Sequence, residues 1–172
     1  MTPMAGLLRR FLYRGFERIR HRLSLWGAGK LPFAHPLRNL AAKTLAPRQV
    51  AVHGFRLHLH TVDHGLTPTL VEGRYEPLQT RIIASLLRPG MRVADVGANI
   101  GYYTLLAAGA VGPSGHVWAF EPEPSNYDLL LRNVRENDLG NVTAEPKAVG
   151  AGPGTANLYL SSVNFGDHRL SP

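Results

Sequence analysis

Cysteine is absent from this chain of 172 residues, so disulfides, thiolate metal sites and cysteine nucleophiles are all excluded from its chemistry. No run of about 18 apolar residues occurs, which excludes a transmembrane helix, and the arginine-rich start lacks the continuous apolar segment of a secretory signal. The expectation is a cytoplasmic protein. Internal repeats and low-complexity tracts are also missing. Acidic residues are scarce in one place only: residues 1–30 hold seven Lys/Arg against one Glu, while residues 31–172 hold twelve against eleven. Six of the seven excess positive charges therefore sit in an arm. A basic face spread over the whole domain is absent, and no nucleic-acid partner is expected.

With 44% hydrophobic residues the chain is long enough for one domain with a real core, and too short for two. Its organising stretch is Arg92–Thr104. Val93, Ala94 and Val96 form an apolar run broken only by Asp95, and Gly97 and Gly101 precede an apolar helical segment. This reads as a buried parallel strand turning tightly into a helix, with the helix's unpaired N–H groups facing the crevice at the strand's carboxyl end. Gly97 and Asn99 suit left-handed backbone, and Gly101 permits close packing of helix on strand. A ribose-binding acid is expected about 20 residues on, at the end of the next strand. The segment His116–Phe120 supplies that strand, and Glu121 stands at its end.

Upstream, Leu8, Leu12, Phe16, Ile19, Leu23 and Trp26 recur at helical spacing between arginines, and Gly27-Ala28-Gly29 stops the pattern. Such a helix either lies on a membrane surface or packs its apolar stripe on the protein with its arginines in water; packing is the commoner case and the one expected. Residues 30–48 read as a linker ending in a short apolar helix. Val50, Val52, Phe55, Leu57 and Leu59 alternate about His53-Gly54 as a hairpin. His58 and His60 share a strand face, but no carboxylate shares their pattern; a solvent-facing histidine row explains them and no metal site is assigned. Residues 65–73 read as loop, and Pro77 opens a helix through Leu87 whose buried face is Ile82, Ile83, Leu86 and Leu87. Ser125 and Asp128 fit a capping box for a helix with the face Tyr127, Leu130, Leu131 and Val134. Residues 142–149 read as an edge strand because of Pro146, and residues 155–160 as one more strand.

The sequence of elements is half of a doubly wound α/β sheet. Asn99 stands where a dinucleotide motif has its second glycine, and Asp95 would repel a pyrophosphate while suiting a ligand that carries a sulfonium and an ammonium. S-adenosylmethionine has both, with a ribose for Glu121. The residues Val93–Thr104, then Phe120-Glu121-Pro122-Glu123-Pro124, Leu131-Arg132-Asn133 and Asn164–Leu170 resemble the FkbM family of S-adenosylmethionine-dependent methyltransferases. The likeness covers about residues 70–170 and includes Gly73-Arg74-Tyr75-Glu76-Pro77, which is similar to the family's stretch before its first helix. It implies an α/β Rossmann-like methyltransferase fold and a cofactor set of Glu76, Asp95, Gly97, Asn99, Gly101 and Glu121. It also implies methylation of oxygen on a small-molecule, sugar or other glycan hydroxyl. His168, beside Asp167, is the candidate base for the hydroxyl proton.

The expected organisation is a basic helix and linker over residues 1–48 and a methyltransferase domain over 49–172. The latter divides into a hairpin and helix (49–90) and an incomplete cofactor-binding half-sheet (91–172). The likeness breaks off after the third strand, so the chain reads as truncated. Two other readings follow from the same features. One is a catalytically inactive cofactor-binding or membrane-associated module that touches the inner face of the membrane through residues 1–30. The other is a nicotinamide-dependent oxidoreductase half-domain, disfavoured by the missing glycine.

Overall fold

The computed structural model describes residues 3–25, 34–161 and 168. It divides into two compact units, residues 1–48 with 59–75 and residues 49–58 with 76–172. The first unit is helical: α1 (Pro3–Leu25), α2 (Ala34–Leu45) and α3 (Leu66–Glu72). Trp26 and the glycines after it lie outside the described residues.

The inward face of α1 is not the apolar stripe. Tyr13 and Glu17 are buried, while Leu8, Leu12 and Ile19 are exposed, and so is Phe11 at 76%. Arginines turn inward instead. Arg14 donates from Nη2 to the Val71 carbonyl at 2.8 Å, Arg10 Nε donates to the same oxygen at 3.2 Å, and Arg9 reaches the Thr44 carbonyl at 2.9 Å. Those carbonyls belong to the last turns of α3 and α2, which have no intrahelical donors and carry the negative end of the helix dipole. This corrects the expected packing of α1, since guanidinium–carbonyl bonds and the buried Tyr13 dock it and Leu8, Leu12 and Ile19 do not.

The expected loop over residues 65–73 is also corrected, because it contains α3. Asp63 accepts from the N–H groups of Gly65, Leu66 and Thr67, satisfying the helix's first donors, and Gly73 closes it at φ 72°.

In the second unit, β1 (Gln49–Val52) and β2 (Phe55–His58) form an antiparallel hairpin about His53 and Gly54, both at positive φ. After α4 (Pro77–Leu86), the elements β3 (Arg92–Val96), α5 (Tyr102–Val111), β4 (His116–Phe120), α6 (Pro124–Glu136) and β5 (Val142–Glu145) build a parallel sheet in the order β3-β4-β5. Val111, Val117, Ala119 and Leu130 are fully enclosed between the sheet and its helices. β5 takes the expected edge but stops at Glu145, before Pro146, and the next N–H that could join the ladder, that of Lys147, turns back to the Glu145 carbonyl at 2.8 Å. Residues 155–160 hold one isolated bridge at Tyr159 and no strand.

Two further expectations fail for one reason each. α6 begins at Pro124 with Glu123 as its cap, accepting from Asn126 N–H at 2.6 Å, because a proline pre-set for the first helical position pulls the start ahead of Ser125. His58 is not a surface histidine: it is buried, with Nε2 2.6 Å from the Glu136 carboxylate.

The expected buried face of α4 is covered in part: Ile83 and Leu87 are half-buried, Leu87 against Val111 and Val117, while Ile82 and Leu86 are open. No α4 residue is buried, with Leu78, Ile82 and Leu86 between 50% and 65% exposed, so apolar spacing marked a face without marking what covers it. Ile82→Lys or Leu86→Lys is therefore expected to change unfolding free energy by less than about 0.5 kcal/mol. Urea denaturation checks this, and a loss of about 2 kcal/mol would show these positions to be covered.

Candidate functional site

At the carboxyl end of β3 the chain turns under a crevice. Gly97 (φ 77°), Asn99 (φ 50°) and Gly101 (φ 95°) all adopt positive φ, which curls the backbone and aims successive N–H groups to one side. The Gly97 and Ala98 N–H groups donate to the Phe120 carbonyl at 2.9 and 3.0 Å, pinning the turn to the end of β4. The Asn99 side chain accepts from Ile100 N–H at 2.7 Å and so supports its own left-handed backbone.

Glu121 closes the crevice from β4. Its carboxylate is 4% exposed and accepts from Asn99 N–H at 2.7 Å through Oε2 and from Glu123 N–H at 2.9 Å through Oε1. Burial pushes this carboxyl above its ordinary value, and the two N–H groups oppose the shift. At Glu123 burial acts in the same upward direction, but hydrogen bonds from Ser125 and Asn126, with His168 nearby, hold it below.

The crevice has a volume of about 200 Å³ and is lined by Val96, Gly97, Asn99, Phe120, Glu121, Leu158 and His168 among others. A groove of about 450 Å³ lies at the other ends of the strands, beside Gly115, His116 and Asn141. Ligands of open α/β sheets bind at the carboxyl ends, so the smaller crevice is the candidate site.

Of the residues expected from sequence, Gly97, Asn99, Glu121 and His168 meet in the crevice. Asp95 does not line it; its Oδ2 accepts from the Thr104 hydroxyl at 2.6 Å, and burial raises its pKa against that bond. Gly101 sits behind the turn, where an added Cβ would come within 2.8 Å of Leu130 Cδ1. Glu76, at φ 38°, accepts from the Tyr103 hydroxyl at 2.5 Å. His168 Nδ1 accepts from Ser161 N–H at 3.0 Å, so the neutral ring carries its proton on Nε2. Removing a proton at Nδ1 requires that bond to break. Residues 164–167, 169 and 170 lie outside the described residues.

Sequence reasoning named Asn133 only within a resemblance and gave it no role; it is wholly buried. Its Nδ2 donates to the Ile100 carbonyl at 2.7 Å, and its Oδ1 accepts from His58 N–H at 2.7 Å, tying α6 and β2 to the glycine turn. An asparagine at a core-facing position of an otherwise apolar helix face was the available signal. Val96 and Phe120 were legible as the last residues of two strands already placed. Leu158 was not, since it reaches the crevice from a segment without regular structure.

A family model described as Methyltransferase FkbM domain matches residues 95–171. Among curated proteins, a protein-L-isoaspartate O-methyltransferase of Methanothrix thermoacetophila is 40% identical over 57 residues, 33% of this chain and 27% of that protein. The methyltransferase sdnD of Sordaria araneosa is 36% identical over 81 residues, 46% of this chain and 31% of that protein. The chain thus spans less than a third of the length of either relative. Among solved structures, P. horikoshii TYW2 in complex with MeSAdo superposes with a TM-score of 0.50 at 19% identity, covering 72% of this chain and 53% of that one. The expectation of FkbM membership is corrected by these findings. The family model reaches less than half of the chain, whereas the structural likeness extends over most of it and is to the general Rossmann-type, class I architecture. The chain carries the α/β Rossmann-like fold of S-adenosylmethionine-dependent methyltransferases, with a parallel β-sheet core.

Proposed function

We propose that this chain binds S-adenosylmethionine in the crevice at the ends of β3 and β4 and takes part in methyl transfer to an oxygen acceptor, a sugar or secondary-metabolite hydroxyl. The observation that carries the reading is Glu121, a buried acid at the end of β4 that lines the crevice, its carboxylate fixed by the Asn99 and Glu123 N–H groups and the Asn126 side chain and keeping one acceptor position for a ribose hydroxyl. The donor set also fits. Glu121 and Glu123 are the acids nearest the crevice and Asp95 lies beneath the turn, a grouping suited to hydroxyls and a cation and unsuited to a pyrophosphate. An added Cβ at Gly97 would meet nothing within 4 Å, so the concave side of the turn is open to a ligand.

S-adenosylmethionine supplies an electrophilic methyl group on a sulfonium. Glu121 would hold the ribose, the Gly97–Gly101 turn would approach the ligand with its backbone, and Val96, Phe120 and Leu158 would give apolar walls. The oxygen acceptor is supported by likeness to relatives named as O-methyltransferases over about a third of the chain.

Titration calorimetry tests the reading. Heat is expected with S-adenosylmethionine and none with NADH, and label from methyl-tritiated cofactor is expected on hydroxyl-bearing sugars. Binding of NADH in preference to S-adenosylmethionine would overturn the cofactor, and label found only on amines or carboxylates would overturn the acceptor.

A further inference from the structure

We infer that α1 is a docking face for an anionic lipid surface, a role independent of the crevice and its chemistry. On a helical projection at 100° per residue, Phe11, Gly15, Leu8, Ile19 and Leu12 occupy one arc, with Arg22 inside it between Phe11 and Gly15 and Arg18 at its edge. The large apolar members of that arc are outward: Phe11 is 76% exposed, Ile19 61%, Leu8 59% and Leu12 44%. Tyr13 and Glu17 form the opposite, buried face.

The charges sort the same way. Glu17 is the one acid of residues 1–30, and it is turned inward and paired with Arg20 at 2.7 Å. Arg10 and Arg14 are used up on the Val71 carbonyl. Arg18 and Arg22 are exposed, and neither meets a carboxylate among the described residues. The outward arc therefore offers apolar side chains and cations with no anion between them.

That combination selects the partner. An apolar protein groove would match the aromatic and aliphatic residues but leave the arginines unanswered, and an acidic protein surface would do the reverse. A leaflet rich in anionic headgroups over acyl chains answers both, each arginine near such a surface strengthening binding about fivefold. No described helix is long and apolar enough to cross a membrane, so α1 would lie in the interface.

The test is co-sedimentation of the full chain with vesicles of phosphatidylcholine alone or mixed with phosphatidylglycerol. The chain is expected to sediment with the mixed vesicles, less so as salt is raised, and to stay in solution with phosphatidylcholine. Phe11→Ser with Ile19→Ser should abolish sedimentation, and Arg18→Gln with Arg22→Gln should weaken it about 25-fold. All four positions are exposed, so the circular dichroism of both variants should match the parent. Equal sedimentation on neutral and anionic vesicles, or none on either, would overturn the proposal. So would sedimentation unchanged by Phe11→Ser with Ile19→Ser, or a dimer in sedimentation velocity that this variant disrupts while the parent ignores vesicles.

Discussion

Glu121→Gln is expected to weaken S-adenosylmethionine binding by about 1.5 to 3 kcal/mol, roughly 12- to 160-fold, because a charge-assisted bond to a ribose hydroxyl is lost. The carboxylate has about four acceptor positions, three of them taken by the Asn99 and Glu123 N–H groups and the Asn126 side chain. A glutamine keeps one carbonyl oxygen and sets an NH2 group against a backbone N–H. The variant therefore also loses stability without ligand, and calorimetric affinity must be measured beside thermal unfolding to separate the two effects. Unchanged affinity in a folded variant would remove Glu121 from the ribose.

The pH dependence of the parent gives a second readout. Burial raises the Glu121 carboxyl above the usual glutamate range of about 4.3. Cofactor affinity, which needs the carboxylate, should fall on acidification at a higher pH than an ordinary glutamate would set. Stability of the free protein should move the opposite way. A raised native pKa contributes stability that is present below the unfolded value and lost as pH rises through the native one. Burial raises Asp95 as well, so Asp95→Asn is needed to isolate Glu121, whose own substitution should flatten the acid limb of affinity. An acid limb that persists in Glu121→Gln would assign it elsewhere.

The parts of the site legible in the sequence are those whose physics is local. Gly97, Asn99 and Gly101 announce a left-handed turn because other residue types resist it, and Glu121 is placed by a short strand that directly precedes it. The three-stranded half of the sheet followed from the same alternation of strands and helices. What was misread depends on partners far along the chain. Periodicity locates an apolar face on α1 and on α4 but is silent on how much of it is covered: Leu8, Leu12 and Ile19 of α1 are open, and of the α4 face only Ile83 and the following Leu87 are half-buried while Ile82 and Leu86 are open. The inward turn of Arg10 and Arg14 depends on where α3 ends, and α3 itself was hidden because its cap, Asp63, precedes its first residue by three positions. His58 has its partner in α6, far along the chain. The FkbM likeness was read from short stretches, and the family model reaches only residues 95–171, less than half of the chain.

The two glycines of the turn are expected to respond to alanine in different ways. At Gly101 the backbone sits at φ 95°, and the new Cβ would lie 2.8 Å from Leu130 Cδ1 and 3.4 Å from Leu105 Cδ1. Leu130 and Leu105 are both fully buried, and Leu130 is enclosed with Ala98 and Ala119, so neither has room to withdraw. Left-handed strain of about 1 to 2 kcal/mol adds to overpacking of about 1 to 3 kcal/mol, a combined loss of roughly 2 to 5 kcal/mol and a fall in Tm of about 4 to 20 °C. At Gly97 the backbone is also left-handed, φ 77°, but the new Cβ would project into open space. Only the strain of about 1 to 2 kcal/mol remains, so Gly97→Ala should stay folded. Its methyl group would stand on the concave side of the turn, where the ligand's backbone contacts are to be made, and cofactor affinity should drop at least tenfold. Thermal unfolding and calorimetry on the pair check both halves of this. A Gly97→Ala protein that binds as well as the parent would place the ligand off the turn, and a Gly101→Ala protein as stable as the parent would mean that α5 and α6 do not pack as closely as the structure shows.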